Sequence, residues 1–175
     1  MGAQKRMTAV KGAIFSLLLD AYQKRDQVGL ILFRGKGAKL LLPPTNSVDI
    51  AHQQLAKLPT GGRTPLTQGL LLAEETVSRY TNKIYQPLLV VVSDGRANVP
   101  LHHKDPLIEV RATAHRIAEQ KISTLVLDCE TGRRKLGLAR PLAAALGGQC
   151  LPLGDLSAEK ITQSIRHTQT GPARG

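Results

Sequence analysis

The sequence predicts an α/β protein built on a doubly wound, mostly parallel sheet with helices on both faces. Two observations carry that prediction. The runs VGLILF at Val28–Phe33 and LLVVV at Leu88–Val92 are continuously apolar and of strand length, which is what strands covered on both faces require. Longer stretches around them repeat apolar residues every three or four positions, the spacing of helices.

The elements follow in chain order. Met7, Val10, Ala13, Ile14, Leu17, Leu18 and Ala21 form one stripe of a helix over residues 3–24. The Val28–Phe33 strand then turns through the glycines of RGKGAK (Arg34–Lys39) into a second extended stretch, Lys39–Leu42, which Pro43 and Pro44 stop; together they make a hairpin. Val48–Leu58 is a weaker helix, and TGGRTP (Thr60–Pro65) is a loop. Thr64 suits the cap of the next helix and Pro65 its first position, because proline there loses no needed N–H. That helix runs over Leu66–Tyr80 with Leu66, Leu70, Ala73 and Val77 inward. The Leu88–Val92 strand belongs in the middle of the sheet. It is followed by a helix over Pro106–Gln120, a strand over Ile122–Asp128, a helix over Leu138–Leu146 and a short strand over Gln149–Leu153. Ser157 begins a last helix with Ala158, Ile161 and Ile165 inward, so the domain is expected over 1–168 with a disordered tail over 169–175. Such folds normally begin with a strand. This one begins with the helix that would follow it, so the central first strand is expected to be missing and the true start to lie upstream of Met1.

Composition narrows the function. The 175 residues carry 24 Lys+Arg against 13 Asp+Glu, a net charge of +11, and 42% hydrophobic residues exclude a disordered chain. Aromatics at 3% with no Trp leave little for stacking nucleic-acid bases, and the basic residues are scattered with no run longer than Arg133-Arg134-Lys135. Acidic protein segments are therefore the expected partners, ahead of nucleic acid. Two cysteines exclude a disulfide scaffold; Cys129 and Cys150 are expected in the core. The start MGAQKRMT has no apolar signal core and no later run spans a bilayer, so a cytoplasmic setting without a membrane span is expected. His102 and His103 read as a solvated loop. No nucleotide-binding loop, nucleophile elbow or zinc-protease motif is present, and no catalytic residue is assigned.

Ligands of open α/β sheets sit at the carboxyl ends of the strands. Asp94, Asp128 and the Thr64 loop map to that edge, where a hydroxyl and a carboxylate make oxygen ligands for magnesium. Asp94-Gly95 is also an ordinary turn dipeptide.

TGGRTPLTQGLLLAEE (Thr60–Glu75) and PLLVVVSDGRAN (Pro87–Asn98) resemble the von Willebrand factor A, or integrin I, domain. Leu125–Arg166 is similar to the C-terminal end of the D subunit of magnesium and cobalt chelatases. The resemblance implies a metal-ion-dependent adhesion site, in which Mg2+ is held by an Asp-x-Ser-x-Ser loop, a Thr and an Asp. Thr64 and Asp94 match the last two. The first has no counterpart, since Met1-Gly2 stand where that loop would end, and one carboxylate with one hydroxyl is too little to hold magnesium well. The implied function is a non-catalytic interaction domain of an ATP-dependent chelatase of tetrapyrrole biosynthesis, in the chlorophyll or cobalamin branch. Its implied partners are an AAA+ ATPase subunit, a large subunit that inserts the metal, and acidic segments. The alternatives are a partner of a MoxR-type AAA+ ATPase that matures metalloenzymes, and a basic nucleic-acid-binding protein.

Overall fold

The computed structural model describes residues 2–59, 61–82, 86–102, 105–132 and 135–155. In chain order the elements are α1 (Gly2–Gln23), β1 (Val28–Arg34), β2 (Gly37–Thr45), α2 (Val48–Ala56), α3 (Leu66–Tyr80), β3 (Leu88–Ser93), α4 (Pro106–Glu119), β4 (Ser123–Asp128), α5 (Ala139–Ala145) and β5 (Gln149–Pro152). The helix expected from Ser157 and the tail over 169–175 lie outside the described residues.

The strands form two sheets. β1 and β2 are an antiparallel hairpin turned at Gly35-Lys36, with Gly35 at φ 69°, a left-handed conformation glycine adopts freely. β3, β4 and β5 are parallel, in that order, with α4 and α5 as crossovers. Side-chain alternation puts helices on both sides of this sheet. Leu125 and Leu127 of β4, with Val90 and Val92 of β3, pack against Leu17 of α1. Val126 and Val91 point the other way, into a core shared with Leu66 and Leu70 of α3, Ala114 and Ile117 of α4, and Leu142 of α5. The doubly wound class is therefore observed. α1 also turns Ile14 and Leu18 toward the hairpin and α2, where Leu42, Ala51 and Leu55 are buried. α1 thus packs against both sheets, as does α3, whose core with Val91 takes in Phe33 of β1.

Three expectations are corrected. β2 does not stop at Pro43 and Pro44 but runs on to Thr45. Proline is tolerated because β2 is an outer strand and the prolines fall where the pairing shifts register, so no ladder N–H is demanded of them. Thr64 is not the cap of α3: Pro65 occupies the capping position with φ −80° and ψ 67°, and no side chain accepts there. β3 is not a middle strand, because among the described residues it pairs only with β4, which is the middle strand instead. Among the described residues β1 pairs only with β2 and β3 only with β4, so each of these strands has one unpaired edge.

Candidate functional site

The loop before α3 and the loop after β3 meet at the carboxyl edge of the sheet. Asn98 joins them: its Oδ1 accepts from the Thr64 backbone N–H at 2.7 Å, and its own N–H donates to the Thr64 carbonyl at 3.3 Å. Arg63 donates to the Asn98 carbonyl at 3.4 Å, and Arg34, at the end of β1, donates from Nε to the Gly61 carbonyl at 2.7 Å. The Gly35 N–H donates to the Arg63 carbonyl at 3.0 Å, so β1 ends at the same edge. Thr64 and Asp94 line one cavity mouth together with Arg6, Arg63 and Arg96.

Asp94 folds back on its own loop. Its Oδ1 accepts from the Arg96 N–H at 3.0 Å and its Oδ2 lies 3.3 Å from Arg96 Nε. The same guanidinium approaches Oε1 of Glu130 at 3.7 Å. Asp128 accepts from the Glu130 N–H at 2.8 Å and so shapes the turn after β4. Glu130 then accepts from the N–H groups of Leu136 and Gly137 at 2.8 and 2.9 Å, which anchors the segment leading into α5. The Leu136 and Gly137 N–H groups hold the Glu130 carboxyl below its ordinary value against the opposing effect of burial, with Arg96 adding to the lowering.

A prediction follows from that sign. A carboxyl depressed on folding stabilises fully above the ordinary glutamate value of 4.5 and loses that contribution as pH falls through its lower folded value. Acidification below about 4.5 should therefore lower the protection factors of the Leu136 and Gly137 amides, taken against the unfolded-chain rate at the same pH, while Glu130→Gln should show low protection there already at neutral pH and a flatter pH dependence.

Cys129 stands at this edge and not in the core expected for it. Burial, then the Asp94 and Asp128 carboxylates, push its thiol up to about 11, so it is protonated at neutral pH. Cys150 is half-buried against the core, and both cysteines are free. His102 is exposed, and His103 lies outside the described residues.

Thr64 and Asp94 do not by themselves fit a magnesium ion. One hydroxyl and one carboxylate, the latter already facing a guanidinium, leave most of an octahedral oxygen shell unfilled. Among the described residues no group of three or more His, Cys, Asp or Glu is arranged to hold a metal. Asn98, Arg96 and Glu130 escaped the sequence reading, since a side chain that accepts from loop backbone leaves no periodic or motif signal.

The von Willebrand factor type A domain model matches residues 1–96, from α1 through the Asp94 loop. The chain belongs to the von Willebrand factor type A domain family. An uncharacterized protein of Mycobacterium tuberculosis is 44% identical over 168 residues, covering 95% of this chain and 26% of that protein. The magnesium-chelatase 67 kDa subunit of Chlorobaculum parvum is 42% identical over 174 residues, covering 93% of this chain and 28% of that subunit. An uncharacterized protein of Methanocaldococcus jannaschii is 40% identical over 164 residues, covering 92% of this chain and 94% of its own length. The chain thus spans about a quarter of the chelatase subunit it matches, and is a chelatase-related von Willebrand factor A domain. Among solved structures, the conserved hypothetical protein BatB of Bacteroides thetaiotaomicron superposes with a TM-score of 0.70 at 19% identity, covering 94% of this chain and 89% of that one. The SpRpn10 VWA domain superposes at 0.63 and 15%, covering 90% and 82%. At such identities these two speak for the fold alone. Among the described residues no helix is long and apolar enough to cross a membrane.

Proposed function

We propose that this von Willebrand factor A domain is a non-catalytic, cytoplasmic interaction module of an ATP-dependent metal chelatase of tetrapyrrole biosynthesis, docking on an AAA+ ATPase subunit and on the large subunit that inserts the metal. The observation that carries the reading is the 42% identity to a magnesium-chelatase subunit, sustained over 93% of the chain. The carboxyl edge supports it chemically. Arg6, Arg34, Arg63 and Arg96 line the same cavity as Asp94, which Arg96 contacts directly, and guanidinium groups at one edge attract acidic partner segments. Thr64 and Asp94 are this chain's contribution to a magnesium contact, and the remaining oxygens come from the partner.

A pull-down of the ATPase subunit tests the reading. Capture by the wild-type chain, weakened in Asp94→Ala, is the expected result, and absence of capture with either chain overturns it. Capture that is unchanged after magnesium is chelated excludes the magnesium contact and leaves the guanidinium surface as the docking element.

A further inference from the structure

The loops that follow β3 and β4 are held by the same device. Glu109 of α4 is only 7% exposed, and its carboxylate accepts from two successive N–H groups of the loop after β3, Leu101 at 2.7 Å and His102. Glu130 is only 8% exposed and accepts from two successive N–H groups of the loop after β4, Leu136 at 2.8 Å and Gly137 at 2.9 Å. A buried carboxylate is costly unless such donors meet it, so each glutamate and its loop fix one another. Each clamped loop presents a leucine to solvent: Leu101 is 40% exposed and Leu136 62%.

Leu107 and Ile108, in the first turn of α4, are also exposed and lie within two residues of the glutamate that holds Leu101. One exposed leucine is ordinary, but four apolar side chains on two clamped segments of one sheet edge are what an interaction surface presents. None of the four lines the cavity between β1 and β3, so their exposure does not depend on what fills it. All four lie beyond residues 1–96, the stretch that the von Willebrand factor type A model matches, whereas the likeness to the chelatase subunit is sustained over 93% of the chain. The carboxylates of these segments turn back onto the backbone: Asp94, Asp105 and Asp128 accept from the N–H groups of Arg96, Leu107 and Glu130, as Glu109 and Glu130 do from their loops. Arg96, Arg111, Lys135 and Arg140 are exposed. What is left to meet a partner is apolar and basic.

We propose that Leu101, Leu107, Ile108 and Leu136 form a docking surface for an acidic partner segment that carries apolar side chains, distinct from the contact made by Thr64 and Asp94. The leucines and Ile108 bury the partner's apolar side chains, and the exposed basic residues beside them meet its carboxylates. Because the buried glutamates already fix both loops, binding has little of this chain left to order. A second copy of the chain is a poor occupant, since two chains of net charge +11 repel each other. That the segment belongs to the AAA+ ATPase subunit rests on the chelatase reading; the surface itself rests on the two clamps, the exposed apolar side chains and the charge around them.

The test is the Kd of the 175-residue chain for the ATPase subunit, measured by interferometry. Leu101→Ser/Leu136→Ser should raise Kd about thirtyfold, the scale of a hot spot lost from an interface. The same factor is expected after magnesium is chelated, because apolar contacts need no metal. Lys135→Glu/Arg140→Glu should also raise Kd, by a factor that shrinks as salt is added. Tyr22→Ser, an exposed change at the far end of α1, should leave Kd at the wild-type value. All the replaced side chains are exposed, so denaturation midpoints should match the wild type, and the charge variant decides alone if the leucine variant unfolds. Equal binding by the wild-type chain and the leucine variant overturns the proposal and leaves the chelatase reading standing, whereas no binding by the wild-type chain overturns that reading and the proposal with it. A leucine effect seen only with magnesium present, or an equal loss in Tyr22→Ser, overturns the proposal alone. So does a chain that dimerises until Leu101 and Leu136 are replaced, since the second copy would then be the occupant.

Discussion

Gly95→Ala is expected to destabilise the domain by about 3 kcal/mol or more, the sum of a left-handed backbone penalty and a steric clash. Gly95 has φ +78°, and a Cβ built there would lie 2.3 Å from the Leu138 carbonyl carbon and 2.5 Å from the Ala139 nitrogen. Both atoms are backbone at the start of α5, so no side chain can rotate out of the way. The loop that presents Asp94 would have to move away from α5, taking Arg96 and its contact with Glu130 with it. Chemical denaturation followed by circular dichroism measures the effect, and a midpoint close to wild type would show that the loop is not held against α5 as described. The same variant should lose partner capture more completely than Asp94→Ala, because it displaces the whole edge and not one carboxylate.

Leu127→Ala is expected to cost about 3–4 kcal/mol, whereas Leu32→Ala should cost about 1 kcal/mol or less. Leu127 is fully buried on the middle strand, under α1, and its truncation leaves a void that the surrounding sheet cannot close. Leu32 sits on β1, lines the cavity between the two sheets and is half-buried, so its truncation removes less packing than that of a fully enclosed side chain. Paired denaturation curves measure the difference. Comparable losses in the two variants would mean that the cavity is closed in solution.

Much of the fold was legible because its signals are local. The stripe from Met7 to Ala21 needs only helical spacing, and Leu66, Leu70 and Ala73 were readable as the inner face of α3 from their own positions. Pro43 and Pro44 misled because their cost depends on whether a strand lies beside them, and none of the described strands lies beyond β2. Thr64 misled for a similar reason. Its backbone is claimed by Asn98, 34 residues away, and no spacing rule anticipates that partner. Glu130 likewise accepts from a segment whose approach is set by the packing of α5.

The amino-acid pattern alone determined the α/β class, the order of the elements and the family resemblance, because apolar periodicity and loop motifs are written in neighbouring residues. It also placed Thr64 and Asp94 at one sheet edge. Only the tertiary structure decided that β1 and β3 stay in separate sheets, that Asp94 faces Arg96, and that an apolar cavity remains between the sheets with arginines at its mouth. Those features depend on which distant edges meet and which stay unpaired, and backbone hydrogen bonding and packing settle that only when the whole chain is folded.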